Sequence, residues 1–152
     1  MTAHLPLHRL KCDPVTGSCN PPPGVEMQPA PGFANAVSPG SGIDVFGRMI
    51  RCLEQLGWTQ GVDIFAHAYD WRLTPMDWAG EGGDFHRLRL QMEGIVSGTH
   101  THGRQPIVVV TLSLGAPYLS LFLNTMVGPG WKEAHVARFV SLSGGRRGGK
   151  RR

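Results

Sequence analysis

The sequence predicts an α/β protein with a mostly parallel, doubly wound sheet. Three observations support this fold class: the order strand, helix, strand, helix, strand from Val62 to Leu142, a wholly apolar strand from Ile107 to Val110, and a composition that suits one core. Of the 152 residues, 41% are hydrophobic and 17% are charged, which argues against a wholly disordered chain and limits it to one globular domain. Two successive crossover units follow the right-handed rule and lay their strands parallel.

The N-terminal segment, residues 1–41, is predicted to be irregular. Pro and Gly are frequent in it, and only Val25 and Met27 alternate in the way that an edge strand would. Cysteine is sparse and odd in number, so the chain carries no disulfide framework. We favour free thiols at Cys12 and Cys19, while a bridge between them would close a short loop in an oxidising compartment.

The first helix and the first strand follow this segment. Apolar residues at helical spacing predict the helix: Ile43, Phe46, Met49, Ile50, Leu53 and Leu56. Asp44 is expected to cap its start, and Gly57 to end it in the left-handed conformation. Alternating residues from Val62 to Ala68 then predict a strand, which Pro75 stops.

The second half of the chain predicts two further helices and two further strands. A helix spans Asp84 to Ser97, with Phe85, Leu88, Met92, Ile95 and Val96 on its buried face. The run from Ile107 to Val110 is apolar throughout, as in strands that are buried on both faces of a parallel sheet. The next helix carries Tyr118, Leu119, Phe122, Leu123 and Met126. The last strand runs from Phe139 to Leu142.

The charge distribution argues against a nucleic-acid partner. The formal charge is +4, but five of the fifteen basic residues lie in the last seven positions, and the other ten face eleven acidic residues. The tail, residues 146–152, is therefore expected to be a disordered basic end, and no nucleic acid is expected as a partner. The stretch from Arg104 to Lys132 has no charged residue between its ends, yet Pro117 and Asn124 favour a strand, a turn and a helix over a membrane span.

The junction between the apolar strand and the following helix carries the candidate catalytic residue. Ser113 is followed two positions later by Gly115, and Thr111 occupies the first glycine position of the pattern Gly, any residue, Ser, any residue, Gly. A sharp turn here would expose Ser113 as a nucleophile and place the Leu114 N–H as an oxyanion donor. A purely structural turn is the alternative, and the strand before and helix after favour the catalytic interpretation.

The groups that a serine nucleophile needs are hard to find in the remaining sequence. No Asp follows Ser113, and Glu133 and His135 are expected to be surface positions on a connecting helix rather than the acid and base. His100 and His102 alternate in a loop without a nearby carboxylate or thiol, so no metal site is expected.

Four tracts together resemble the lecithin:cholesterol acyltransferase family, which includes lysosomal phospholipase A2 and phospholipid:diacylglycerol acyltransferase. They are AYDWRLTP, LGWTQGVDIFAHAYDWR, VVVTLSLGAPYLSLFLN and WKEAHVARFVSLSGG, and the likeness runs from about Asp13 to Gly145. The tract YDWR, Tyr69 to Arg72, is the most specific piece, and WK followed by the FVSL strand is a second independent match.

The resemblance implies a partial α/β-hydrolase fold, truncated at both ends, with residues 42–145 as its central part. In that fold Ser113 would take an acyl group from a phospholipid and pass it to a sterol, a diacylglycerol, another alcohol or water, and the Leu114 N–H would donate to the oxyanion. Asp70 and Arg72 are two positions apart in an extended segment and can pair, and an ion pair that supports the sheet end is favoured over a chemical role. The family implies no metal and no organic cofactor, and it implies work at a lipid or membrane surface.

Departures from the family pattern keep a second hypothesis open. Leu112 stands where the family commonly has His, and the family's catalytic Asp, its His and its second oxyanion donor have no match in this chain. We therefore expect a fragment that is poorly soluble and inactive alone, and the alternative is a noncatalytic derivative of the same fold. The family implies the secretory route, the lysosome, the vacuole or a membrane, although the N-terminus carries no signal peptide.

Overall fold

A computed structural model describes residues 10–17, 19–20, 44–98 and 105–144 of the chain. The chain divides into two compact units, Met1–Thr74 and Pro75–Arg152. Three features of the sequence analysis lie outside the described residues: the Val25 and Met27 segment, the histidines of the THTH loop, and the basic tail.

The first unit begins with a small antiparallel hairpin that a disulfide closes. Strand β1 (Lys11–Cys12) pairs with β2 (Cys19–Asn20). Because Cys12 is directly opposite Cys19, their Cα atoms lie 4.0 Å apart and their thiols form a disulfide. The expectation of free thiols at these two positions was wrong, since spacing along the chain does not show that a tight turn pairs them. The Asp13 carboxylate stabilises the turn by accepting hydrogen bonds from the backbone N–H groups of Val15 and Thr16.

Helix α1 (Gly47–Gln55) confirms the first predicted helix in a shorter form. Its N-cap is Phe46 rather than Asp44, and the Asp44 carboxylate instead accepts a 2.7 Å hydrogen bond from Arg51. That bond, with backbone N–H groups at the helix start, lowers the pKa of Asp44. Gly57 has a φ of +90°, so the predicted left-handed end is confirmed.

The predicted strand from Val62 to Ala68 is not formed. The backbone N–H groups of residues 62, 63 and 64 all donate to the Thr59 carbonyl at 2.8–3.2 Å, and Gly61 has a φ of +79°. These bonds wind the start of the segment into a turn, so its donors are not directed at a neighbouring strand. Alternating polar and apolar residues indicate that a segment has two different faces. They do not show that a second strand lies beside it, and a β-ladder requires one.

The second unit contains four helices and two strands among its described residues. Their bounds are α2 (Pro75–Ala79), α3 (Asp84–Ser97), β3 (Ile107–Leu112), α4 (Gly115–Thr125), α5 (Pro129–His135) and β4 (Val136–Leu142). The helix predicted from Asp84 to Ser97 is confirmed at both ends. Helix α2 was not predicted, although Pro75 at its first position and Asp77 in its first turn are typical of a helix start.

Strands β3 and β4 form a parallel pair, which confirms one of the two predicted crossover units. Their register runs from Ile107 opposite Val136 to Leu112 opposite Leu142, and α4 and α5 make the connection. Helices on a parallel sheet are compatible with the predicted α/β class. The prediction that this apolar strand is buried on both faces was wrong, because the side chain of Val108 is 53% exposed.

An aromatic core holds the helices of the second unit together. Its members are Trp78 of α2, Phe85 of α3, Tyr118 and Phe122 of α4, and Trp131 of α5. Consecutive ring centroids lie 5.0–6.1 Å apart, mostly edge to face, and each such pair contributes about 0.5–1.5 kcal/mol beyond its buried area. This core fixes α4, whose N-terminus follows Ser113. None of the helices in the described ranges is long and apolar enough to cross a membrane.

Candidate functional site

Ser113 lies in a tight turn between the end of β3 and the start of α4. Its φ is +49°, in the left-handed region, and the residue is exposed. A side-chain-bearing residue in this region costs of order 1–3 kcal/mol and persists only when the surrounding structure holds it. Leu114 follows as the helix N-cap, with φ −58° and ψ −23°. The chain therefore turns sharply at a serine.

Two hydrogen bonds and the close approach of Gly115 to Thr111 hold this turn. The Ser113 N–H donates a 2.9 Å hydrogen bond to the Leu142 carbonyl, which ties the turn to the end of β4. The Ser113 carbonyl accepts from the Ala116 N–H at 3.1 Å. A Cβ atom on Gly115 would lie 3.2 Å from the Thr111 Cβ, so the position has room for glycine and little more.

The surroundings of Ser113 combine backbone donors with apolar side chains. The N–H of Leu114 belongs to the N-cap of α4, and at a helix start the N–H groups have no acceptor within the helix and the helix dipole favours negative charge. Three leucines near the turn are exposed by 36–43%: Leu112, Leu114 and Leu142. The site can thus stabilise a developing negative charge beside a surface that attracts apolar chains.

The turn also contains a buried hydroxyl. Within the described part of the chain, the Thr111 Oγ1 is buried and has no hydrogen-bond partner. Thr111 occupies the position where the serine pattern usually has glycine. The threonine therefore places a buried hydroxyl without a hydrogen bond beside the turn, which lowers the stability of the fold.

Ser143, which was not predicted as a site residue, has a conformation like that of Ser113 at the end of the neighbouring strand. It follows Leu142, its φ is +51°, and it is exposed. The tracts LSLG and LSGG, which end the two strands, are the sequence signal that could have indicated it. After it, Gly144 is close to the start of α4, because a Cβ there would lie 2.4 Å from the Ala116 Cβ.

Glu133 and His135 are far from Ser113. Both belong to α5, which ends where β4 begins, whereas Ser113 follows the carboxyl end of β3. Because the strands are parallel, the length of β4, about 20 Å at roughly 3.3 Å per residue, separates the two ends. His135 stacks on Trp131 with a 4.3 Å centroid distance, and its Nδ1 lies 2.8 Å from the Trp131 carbonyl oxygen. Glu133 and His135 therefore do not serve Ser113 as acid and base. This agrees with the prediction that they are positions on a connecting helix.

Asp70 and Arg72 form a nearly buried ion pair in the first unit. The Arg72 Nε and Nη2 donate to the two carboxylate oxygens at 2.9 and 2.5 Å, and the side chains are only 4% and 12% exposed for Arg72 and Asp70. The guanidinium holds the pKa of Asp70 below its ordinary value although burial acts in the other direction. The Asp70 carboxylate also accepts from the Arg72 N–H at 3.0 Å. The pair thus fixes the YDWR tract locally.

We also looked for side chains that could bind a metal ion together in the described ranges. No group of three His, Cys, Asp or Glu residues there lies close enough to hold an ion.

These features define an α/β arrangement with a strained, exposed serine at a strand-to-helix turn. The family model of lecithin:cholesterol acyltransferase matches residues 5–151. The chain therefore belongs to the lecithin:cholesterol acyltransferase family, as its tracts indicated.

Curated relatives agree with this assignment. The chain is 32% identical over 128 residues to human lysosomal phospholipase A and acyltransferase, covering 80% of this chain and 29% of that protein. It is 30% identical over 97 residues to the rat protein of the same name, covering 64% and 22%. It is 27% identical over 146 residues to a candidate phospholipid:diacylglycerol acyltransferase 2 of Arabidopsis thaliana, covering 90% and 21%. The chain thus spans about a fifth to a third of the length of these relatives.

Proposed function

We propose that this chain carries the nucleophile of a lipid acyltransferase or phospholipase, and that the nucleophile is Ser113. The observation that supports this most directly is the left-handed turn at Ser113, between a strand and a helix N-terminus. The relatives are named for phospholipase A and acyltransferase activities, which matches a serine that forms an acyl ester.

The proposed reaction has two steps. In the first, the Ser113 oxygen forms a bond to the carbonyl carbon of a phospholipid ester, its proton passes to a base, and the lysophospholipid leaves with a proton. In the second, a sterol, a diacylglycerol, another alcohol or water attacks the acyl-enzyme and restores the serine. The Leu114 N–H holds the negative oxygen in both steps. No metal or organic cofactor takes part.

The fold proposed around this site is the doubly wound α/β-hydrolase sheet, with residues 42–145 as its central part. In this division of the chain, residues 1–41 precede the central part and residues 146–152 follow it. We place the acid, the base and the second oxyanion donor outside these 152 residues. Asp70 and Arg72 keep a supporting role, since both side chains are nearly buried against each other.

The proposed partners are a phospholipid acyl donor and an alcohol acceptor at a lipid or membrane surface. The exposed side chains of Leu112, Leu114 and Leu142 support this, because they belong to residues next to Ser113 in the chain or at the end of the adjoining strand and offer apolar surface that an acyl chain can cover.

A noncatalytic derivative of the fold is the second candidate. The specific observation in its favour is that Glu133 and His135 lie at the opposite end of the sheet from Ser113. If no other acid and base serve the serine, the family's chemistry cannot be completed.

A covalent probe separates the two. We would incubate the full-length natural protein with a fluorophosphonate, map the modified peptide by mass spectrometry, and measure fatty acid and ester release from phosphatidylcholine vesicles that contain a long-chain alcohol. Labelling at Ser113 with acyl transfer supports the enzyme, and Ser113→Ala should remove both. Ser120→Ala, one turn into α4, is the matched control and should keep both. No labelling and no release by the unsubstituted protein would favour the noncatalytic derivative.

A further inference from the structure

Ser143 directly follows β4 in the same way that Ser113 directly follows β3. The register pairs Leu112 with Leu142, so each serine is the next residue beyond the last pair. Neighbouring parallel strands lie about 4.8 Å apart, which brings the two serines side by side at the carboxyl edge of the sheet. The 2.9 Å bond from the Ser113 N–H to the Leu142 carbonyl confirms that the strands are still adjacent at this point.

The conformation of Ser143 is costly for a serine. Its φ of +51° is one that glycine adopts freely, whereas it strains the backbone of a residue that has a Cβ. Glycine at this position would form the same turn without that cost. The turn therefore does not explain why the residue is serine rather than glycine. A role for its exposed hydroxyl beside the nucleophile would explain it.

The side of Ser113 on which Ser143 lies indicates what the hydroxyl contacts. In serine hydrolases with a strand-to-helix turn, the oxyanion is held by the N–H after the nucleophile and by an N–H from a loop that precedes the nucleophile in the chain. Ser143 comes from β4, which follows the nucleophile, so it lies beside Ser113 without belonging to either oxyanion donor. The remaining polar part of the reacting ester is the alcohol, which leaves in the first step and enters in the second.

We propose that the Ser143 hydroxyl binds the alcohol oxygen of the acyl acceptor and thereby favours transfer to an alcohol over hydrolysis. This inference rests on the proposed function and deepens it. One neutral hydrogen bond contributes about 0.5–1.5 kcal/mol, which corresponds to a change of roughly two- to tenfold in the ratio of the two products. Ser143 is thus a specificity-determining residue of the reaction.

The test compares Ser143→Gly and Ser143→Ala with the unsubstituted full-length protein. Both variants lack the hydroxyl, but glycine also adopts the positive φ without strain. A defect in folding would therefore affect Ser143→Ala more than Ser143→Gly. With phosphatidylcholine vesicles and a long-chain alcohol, we expect the ratio of ester to free fatty acid to fall roughly two- to tenfold in both, while the rate of fluorophosphonate labelling at Ser113 stays the same. Ser97→Ala, an exposed serine at the end of α3, should leave the ratio unchanged.

Three results would overturn the inference, and they are distinguishable. An unchanged product ratio in Ser143→Gly, with labelling intact, shows that the hydroxyl does not select the acceptor. A loss of Ser113 labelling in both variants shows that Ser143 acts on the turn. No labelling of the unsubstituted protein removes the proposed function, and this inference with it.

Discussion

Gly144 and Ala116 are packed so closely that a Cβ atom on Gly144 would lie 2.4 Å from the Ala116 Cβ. The contact joins the residue after Ser143 to the first turn of α4. The same Cβ would lie 2.1 Å from the Ser141 Oγ, so the space is closed on two sides. The ends of the two strands are thereby held against the start of the helix that follows Ser113.

We expect Gly144→Ala to destabilise the second unit by about 1–3 kcal/mol, because the added methyl group must displace Ala116 or the backbone beside it. A lower urea midpoint, with slower fluorophosphonate labelling of Ser113, is the expected result. The matched control is Gly94→Ala in α3, where no atom lies within 4 Å of the new Cβ. That variant should gain about 0.5–1 kcal/mol, since alanine is the better helix former. Equal stability of the two variants would contradict the contact.

Thr111→Val tests the buried hydroxyl in the serine turn. Valine has nearly the same shape, and the Oγ1 that it removes has no partner in the described part of the chain. We expect a gain of about 1 kcal/mol in the free energy of unfolding. Thr125→Val in α4 is the control, because there the Oγ1 donates a 2.8 Å bond to the Leu121 carbonyl, and we expect no gain. A loss of stability in Thr111→Val would show that the hydroxyl is hydrogen-bonded.

Asp70→Asn should destabilise the first unit by about 3–5 kcal/mol, since it leaves the Arg72 guanidinium buried without its charge partner. Asp44→Asn removes the partner of Arg51 in a pair that is 40–58% exposed and screened by water, so it should cost far less than Asp70→Asn. Thermal unfolding of both variants checks the difference. A similar effect of the two substitutions would mean that the YDWR pair is solvated.

The pH dependence of stability should depend in part on Glu93. Hydrogen bonds from Arg89 and from the Trp131 indole N–H, each 2.8 Å long, hold the pKa of Glu93 below its ordinary value, and the charge of His135 acts in the same direction. A lowered folded-state pKa stabilises the protein above the unfolded-state value, near 4.3, and this stabilisation is lost as the pH falls through the folded-state value. Urea midpoints at pH 7 and pH 3 should therefore differ less in Glu93→Gln than in the unsubstituted protein.

Trp131→Phe complements that variant. Phenylalanine keeps an aromatic ring near Phe122 and His135 but lacks the indole N–H, so it should remove only part of the pH dependence. An effect as large as that of Glu93→Gln would mean that Arg89 contributes little, and no effect would exclude the indole bond. Because Glu93 and Arg89 are partly exposed, each change should stay below about 1 kcal/mol.

Local signals predicted the elements that depend on local physics. Helix α3 begins after Gly83 and ends before Gly98, and its apolar residues recur at helical spacing between them, so both bounds were predicted. Strand β3 is a run of β-branched residues that ends at a helix, and the turn at Ser113 followed from that junction. Gly57 behaved as a left-handed helix end because its conformation depends on the residue itself.

The features that the sequence did not predict depend on partners distant along the chain or on exact turn geometry. The segment from Val62 has the alternation of a strand, but Thr59 accepts its first N–H groups. The pairing of Cys12 with Cys19 depends on a hairpin of two-residue strands, too short for a periodic signal. That Glu133 and His135 do not serve Ser113 was predicted, but the register of β4 against β3 depends on residues that are distant along the chain, and composition does not determine it.

The Cys12–Cys19 disulfide gives the hairpin a further property. The bond and the chain between the two cysteines form a closed covalent ring. A protease that cuts one peptide bond inside this ring opens it without releasing a fragment, so the nicked molecule keeps its mass apart from one added water. The two pieces separate only after reduction. Gel analysis with and without a reducing agent, after limited digestion, would therefore reveal cuts in this turn that a nonreducing gel conceals.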